Sequence, residues 1–467
     1  MTAAPTTPSS SAARPTPATP APTNRLGYDD EVFLRTATVL GMPVVAQTAW
    51  RFDTRIPVED VERLCAALAK GPLHRLVVRS RVPAARSRFV RAGARAPLAV
   101  SPEPVDPADL TGWLDACAEV ELDPVKGPAW SFAMAHTTDG GTVVAYQASH
   151  VICDGGLKIG AVVDAVRGTP RRRLPVDDLA AAQVTLRDDL RDAAGMLRQA
   201  YAGLRAARRA APVPALDAQT SKDRPVPEPQ PDDGVRQVLP FIGVDCPAAE
   251  WHAVAERAGG TANALFVAVT VEVLLRAGIA EAGRPVAVSL PVSLRGPDDL
   301  RSNTTSGVTI AVDTELRDGV GIVPDLAAVR ARSREQFRAL SDGTRPDTRA
   351  FFRPLLQILP DALAKRMADT ITTPLCLASN LGRLDPAYVA PFGVPSRGVL
   401  FRALSLGATR GQLRRMRGGV TSWWSESGEQ CTLGLRGLDP DRVPDSDTLR
   451  RLVGEVYARW GLTARFW

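Results

Sequence analysis

The sequence predicts an α/β protein of two lobes, and three observations carry that prediction. β-favouring runs and runs of helical spacing alternate from Arg25 to the C-terminus with no short-period repeat, so the two element types are mixed along the chain. A Pro- and Asp-rich stretch, Pro212 to Gly234, interrupts the alternation and leaves a half of similar makeup on each side. The 467 residues, 45% hydrophobic and 23% charged, supply an ample core, and the length suggests two or three domains. The expected division is a tail at 1–24, a first lobe at 25–178, a basic helix with the Pro-rich linker at 179–235, and a second lobe at 236–467.

Met1 to Asn24 is almost wholly Ala, Pro, Thr and Ser, with Arg14 its one charge, a composition too poor in apolar groups to offset ordering entropy. It lacks the positive start and apolar middle of a secretory signal. Glu31 to Leu40 reads as a structured opening element, Val44 to Phe52 as a strand. Pro57, Glu59 and Asp60 suit the first turn of a helix that continues through Val61, Leu64, Cys65 and Leu68. Leu73 to Arg79 and Ser87 to Arg91 read as strands, Pro107 to Val120 as a helix, and Trp130–His136 with Thr142–Ser149 as a hairpin across Asp139-Gly140-Gly141. A helix from Gly156 to Val166 precedes the basic run Arg171-Arg172-Arg173. Leu186 to Arg209 is a long Arg-rich helix with Leu190, Ala193, Ala194, Leu197, Tyr201 and Leu204 on one side, expected to cover the seam between the halves.

In the second half, Gln237 to Ile242 reads as a strand that Pro240 consigns to a sheet edge, and Pro247 to Arg257 as a helix. Thr261 caps a helix apolar on nearly every side (Ala264, Leu265, Val267, Ala268, Val271, Leu274, Leu275), which must therefore be buried. Strands are expected at Val286–Leu290, Asn303–Val312 and Thr373–Leu381, helices at Leu326–Leu340 and Leu355–Thr370, a hairpin at Val420–Ser425 and Gln430–Leu435, and a closing helix at Asp445–Trp460.

The chemistry concentrates in Ser149-His150-Val151-Ile152-Cys153-Asp154-Gly155-Gly156. A histidine at the exit of a buried strand can remain neutral near pH 7 and take a proton from a hydroxyl or amine. Asp154 in the following turn can shape the loop, and the glycines let backbone approach a ligand. A structural histidine satisfied inside a turn is the competing reading, but the chain has only four histidines.

His150 to Gly155 resembles the HxxxDG signature of the acyltransferase superfamily that includes chloramphenicol acetyltransferase, nonribosomal peptide synthetase condensation domains, polyketide-associated acyltransferases, wax ester synthases and plant BAHD enzymes. Pro291-Val292-Ser293-Leu294-Arg295 followed by Asn303, and Ala378-Ser379-Asn380-Leu381-Gly382, look like landmarks of the second half in matching order. The second histidine usual before the catalytic one in condensation domains and wax ester synthases is here Ser149, and the DFGWG element of BAHD enzymes is absent, so the resemblance is nearest to single-histidine bacterial branches, close to the polyketide-associated acyltransferases. It implies two chloramphenicol acetyltransferase-like lobes in a pseudo-dimeric V around a central channel, with His150 as general base. Asp154 would pair with Arg295 and hold the histidine loop. A thioester oxyanion needs a donor, for which the Gly155 backbone N–H and the Asn380 side chain are the candidates. Ser149, Ser379 and Asn380 are the channel candidates. The implied reaction moves an acyl group from a thioester, acyl-CoA or phosphopantetheinyl carrier protein, to a small-molecule hydroxyl or amine in natural product or lipid biosynthesis, with no bound cofactor.

No Gly-x-Ser-x-Gly elbow suggests a covalent intermediate, and His74, His136, His150 and His252 have no metal-ligand spacing. The six cysteines form neither a CxxC pair nor a dense framework, which suits reduced thiols in the cytoplasm; Cys153 reads as a buried filler. A net charge of +6 permits an anionic partner, but the arginines are spread widely; no nucleic-acid partner and no membrane span are expected, and a monomer is. Two other classes compete: a non-catalytic condensation-like protein that binds a carrier domain or small molecule, and an interaction protein using the basic helix on nucleic acid or anionic lipid.

Overall fold

The computed structural model describes residues 24–169, 186–209, 216–226, 234–296, 299–314, 324–343, 348–368 and 373–467. All of the expected tail but Asn24, the Arg171-Arg172-Arg173 run, and parts of the Pro-rich stretch lie outside the described residues. In the first half the elements are α1 (Tyr28–Thr38), β1 (Val44–Phe52), α2 (Val58–Leu68), β2 (Arg75–Val78), β3 (Arg88–Arg91), β4 (Leu98–Val100), α3 (Leu110–Ala118), β5 (Trp130–His136), β6 (Thr142–Ser149) and α4 (Gly155–Arg167), followed by α5 (Leu186–Arg209). The second half holds β7 (Phe241–Pro247), α6 (Ala248–Arg257), α7 (Ala262–Arg276), β8 (Val286–Ser293), β9 (Thr305–Val312), α8 (Leu326–Ser341), α9 (Thr348–Ile358), α10 (Asp361–Ala368), β10 (Cys376–Arg383), α11 (Pro386–Val389), β11 (Gly398–Ser405), α12 (Arg410–Met416), β12 (Val420–Ser427), β13 (Gln430–Gly437), α13 (Ser446–Trp460) and β14 (Arg465–Phe466).

The molecule is α/β and two-lobed. One lobe is built on a five-stranded sheet, β11-β1-β6-β5-β4, the other on a seven-stranded sheet, β14-β7-β13-β12-β10-β8-β9; β2 and β3 pair separately. Helix α7 forms the centre of the second core because its apolar residues surround its axis: Ala264 to Leu274 are all buried, and Thr261 caps it by accepting from the Ala264 N–H.

The lobes are stitched together by a strand the sequence reading passed over. β11 belongs to the second half of the chain but completes the first-lobe sheet, pairing antiparallel with β1 from Val44↔Ser405 to Arg51↔Gly398. It also crosses over β13 of the other sheet, and there Gly434 is required: a Cβ at this position would lie 2.5 Å from the Phe401 carbonyl oxygen. Backbone cannot rotate aside as a side chain can.

Three other expectations are corrected. The strand read at Gln237–Ile242 lies at Phe241–Pro247, because Pro240 has no N–H to give and the ladder starts after it. It is no edge strand, since β14 pairs with its outer side. The helix expected at Leu355–Thr370 is two helices, α9 and α10, separated at Pro360. Helix α5 turns Asp189, Ala193, Met196 and Ala200 inward and leaves Leu190, Leu197 and Tyr201 exposed. Ion pairs set that rotation: Asp189 reaches Arg25 at 2.6 Å and Asp192 reaches Arg86 at 2.7 Å. Within the Pro-rich stretch, Gln219 is buried and forms a bridge with Val286, accepting from Ala287 N–H and donating to Pro285 O.

Gly434→Ala is therefore expected to destabilise the protein by about 1–3 kcal/mol through the β11 crossing. Urea unfolding measures this, and an unchanged midpoint would show that the crossing is loose.

Candidate active site

His150 directly follows β6, and its backbone N–H donates to the Val44 carbonyl at 2.9 Å, so two adjacent strands fix its position. Phe33 of α1 stacks on the imidazole with ring centroids 4.0 Å apart. Asn303, from the other lobe's stretch between β8 and β9, settles the tautomer. Its Nδ2 donates to the His150 carbonyl at 2.9 Å and to Asp30 Oδ1 at 2.8 Å, so its Oδ1 is the atom facing His150 Nδ1 at 3.0 Å. An amide oxygen only accepts, so the ring proton sits on Nδ1 and Nε2 keeps its lone pair. Burial pushes the imidazole below its ordinary range and the Asp154 charge pulls it back only in part.

Asp154 points into protein. Both its oxygens accept from Arg295 Nη2 at 2.9 Å, Oδ1 also caps α4 through the Leu157 N–H, and Oδ2 takes the Thr304 N–H at 2.9 Å. Arg295 Nη1 is held by the Asp299 and Arg301 carbonyls. With both side chains under a tenth exposed and the Asp154 oxygens engaged, the pair forms a structural clamp, not a proton donor to substrate.

Three charged groups that the sequence reading left without a role support this turn. Arg75 donates to Ile152 O at 2.5 Å and Ser302 Oγ at 2.8 Å; burial lowers its pKa to about 10. Asp30 has its pKa raised to about 6 by burial, against the hydrogen bonds from Asn303 and Gly27. Lys158 of α4 donates to the Ala46 and Tyr146 carbonyls at 2.8 Å each, and burial lowers it to about 7. A lone arginine inside Leu73–Val78 and a lysine on the buried side of α4, four residues after Asp154, were the available signals. Asn303 stood only as a landmark, because nothing local reveals a bond 153 residues away in sequence.

His150, Asp154, Gly155, Ser379 and Asn380 line a cavity of about 620 Å³ with mostly apolar walls, including Val32, Met42, Leu377, Phe401, Leu413 and Trp423. Through Pro291, Ser293, Asn380 and Leu381 it adjoins a second cleft of about 740 Å³ lined by Arg330, Arg334 and Arg338 of α8. Asn380 Oδ1 accepts from the Gly382 N–H and one Nδ2 hydrogen goes to Asn263, which leaves the other available. Arg295 stands behind Asp154, off the cavity wall. Ser149 is corrected: it is buried, and its hydroxyl accepts from the Val151 N–H inside the turn, so it does not line the cavity. Cys153 is fully buried, its thiol pushed up to about 12 chiefly by burial.

No protein-family model and no curated protein matches the chain. Solved structures do. The first condensation domain of the calcium-dependent antibiotic synthetase superposes with a TM-score of 0.55 at 13% identity, over 93% of this chain and 96% of that one. The wax ester synthase/diacylglycerol acyltransferase from Marinobacter aquaeolei VT8 gives 0.52 at 16% identity, over 94% and 100%. The nonribosomal peptide synthetase FmoA3 gives 0.52 at 17% over 96% of this chain, which spans 45% of that longer one. At these identities the likeness is one of fold: the chain has the two-lobed fold of condensation domains and the wax ester synthase.

Arg295→Ala would strand the Asp154 carboxylate, and a loss of about 3–5 kcal/mol is expected. Urea unfolding of the variant tests this; an unaltered midpoint would mean that the clamp does not hold the turn.

Proposed function

We propose that the protein is an acyltransferase that moves an acyl group from a thioester to a hydroxyl or amine, with His150 as general base. The observation that carries this reading is the imidazole whose Nδ1 is bonded to Asn303 while the ring lines an apolar cavity. His150 Nε2 takes the acceptor's proton as its oxygen or nitrogen attacks the thioester carbonyl. The tetrahedral intermediate then expels the thiolate, which recovers the proton from the imidazolium, so the base returns unchanged. Charge developing on the carbonyl oxygen would meet the N-terminus of α4 at Gly155 and the remaining Asn380 N–H.

Arg330, Arg334 and Arg338 give the adjoining cleft the charge to hold a phosphate-bearing donor, acyl-CoA or the phosphopantetheine arm of a carrier protein. Neighbours named as condensation domains of peptide synthetases and as a wax ester synthase favour a place in natural product or lipid assembly. Formation of an ester or an amide follows from which acceptor fills the cavity.

Acceptor-dependent release of free thiol from acyl-CoA measures the reaction. His150→Ala is expected to lose about 10²-fold or more in kcat while folding normally. The base works neutral, and its pKa lies below the usual 6.5. Hence kcat/KM should stay level as pH falls through 6.5 and drop only at lower pH. An active His150→Ala variant, or an acid limb at or above 6.5, would contradict the assignment.

A further inference from the structure

Two buried arginines at the cavity wall have no part in the proton transfer described above. Arg436 of β13 and Arg402 of β11 are 4% and 3% exposed, and both line the chamber that holds His150. Their guanidinium carbons lie 5.9 and 4.6 Å from the centroid of the Phe241 ring, which brings the two cations to one place. Arg402 is partly compensated: Nε donates to Gln47 Oε1 and Nη1 to Asp115 Oδ1, both at 2.6 Å, while its buried Nη2 has no partner. The Arg436 side chain has no hydrogen bond or ion pair among the described residues, and its buried Nε is unsatisfied.

Buried guanidinium groups are normally paired, because an uncompensated charge away from water is costly. Here two cations face one carboxylate, Asp115, and the remaining charge of +1 borders a cavity. The other charged groups at the wall do not supply the missing partner: Lys158 is spent on two carbonyls, Asp154 on Arg295, and Asp29 stands beside Val32 and Phe33 of α1. We propose that this end of the chamber is a receptor for one carboxylate carried by a substrate whose reacting end lies at His150. The proposal rests on the acyl-transfer reading for what reacts, and not for what binds. A residual charge of +1 matches a monoanion, and a planar guanidinium matches a carboxylate in shape. The phosphate of the proposed donor would have a separate place among the exposed arginines of α8. The mostly apolar lining of the chamber suits an aliphatic or aromatic body.

Octanoate and methyl octanoate, compared by calorimetry at pH 7.5, provide the test. The wild-type protein is expected to bind octanoate at least ten-fold more tightly than the uncharged ester, and this comparison needs no variant. Arg436→Met is expected to melt no lower than wild type, because it removes an uncompensated buried charge, and to lose the ten-fold preference; Lys158→Met is expected to keep it. Equal binding of acid and ester, or an Arg436→Met variant that retains the preference, would overturn the receptor. His150→Ala should bind octanoate as wild type does. Binding without any thiol release would thus count against acyl transfer alone, and thiol release without the preference against the receptor alone. Displacement of octanoate by suberyl-CoA in preference to octanoyl-CoA would place the carboxylate on the acyl chain; no difference between them would place it on the acceptor.

Discussion

One short stretch of the second lobe, Arg295 to Thr304, holds the histidine turn of the first. Arg295 clamps Asp154, Ser302 takes the Asp154 N–H on its carbonyl and an Arg75 N–H on its hydroxyl, and Asn303 grips the imidazole and its backbone carbonyl together. The site therefore exists only where the lobes dock. A displacement of this stretch would take Arg295 and the Thr304 N–H from the buried Asp154 and Ser302 from the buried Arg75, which makes the docked state preferred over partly opened ones. The β11 strand acts in the same direction, since it joins the sheet of one lobe while belonging to the chain of the other.

The electrostatics of the site follow from burial of its charged groups in protein. Burial depresses His150, Arg75 and Lys158 and raises Asp30, each shift favouring the neutral form. For a general base this is useful, because the working state is the neutral one. Asp154 is aimed at Arg295 instead of at His150, so the imidazole is not strongly stabilised as a cation; its orientation comes from a neutral amide. Orientation and charge are thus supplied by different residues.

Much of this was legible in the sequence. The HxxxDG spacing located the turn, Arg295 was matched to Asp154, and strand and helix periodicity placed β1, β5, β6, α5 and α7 closely. What escaped shares one cause, dependence on contacts distant in the chain. β11 and α12 lie in a stretch, residues 384–419, whose local pattern announced nothing, yet β11 completes the first sheet. The role of Asn303 required knowing that it faces a histidine. Ser149 is a channel candidate in the sequence, but the turn engages its hydroxyl with the Val151 N–H and it does not line the cavity. The inward face of α5 was misread because ion pairs, and not its leucines, set its rotation.

Asn303 keeps His150 as the neutral tautomer protonated on Nδ1. Ring-nitrogen NMR of the 15N-labelled protein reads this directly, since only four histidines contribute. The expected result is a His150 signal with a protonated Nδ1 and an unprotonated Nε2 that persists below pH 6.5 and is lost in Asn303→Ala. A ring protonated on Nε2, or one that becomes cationic at or above pH 6.5, would contradict the account.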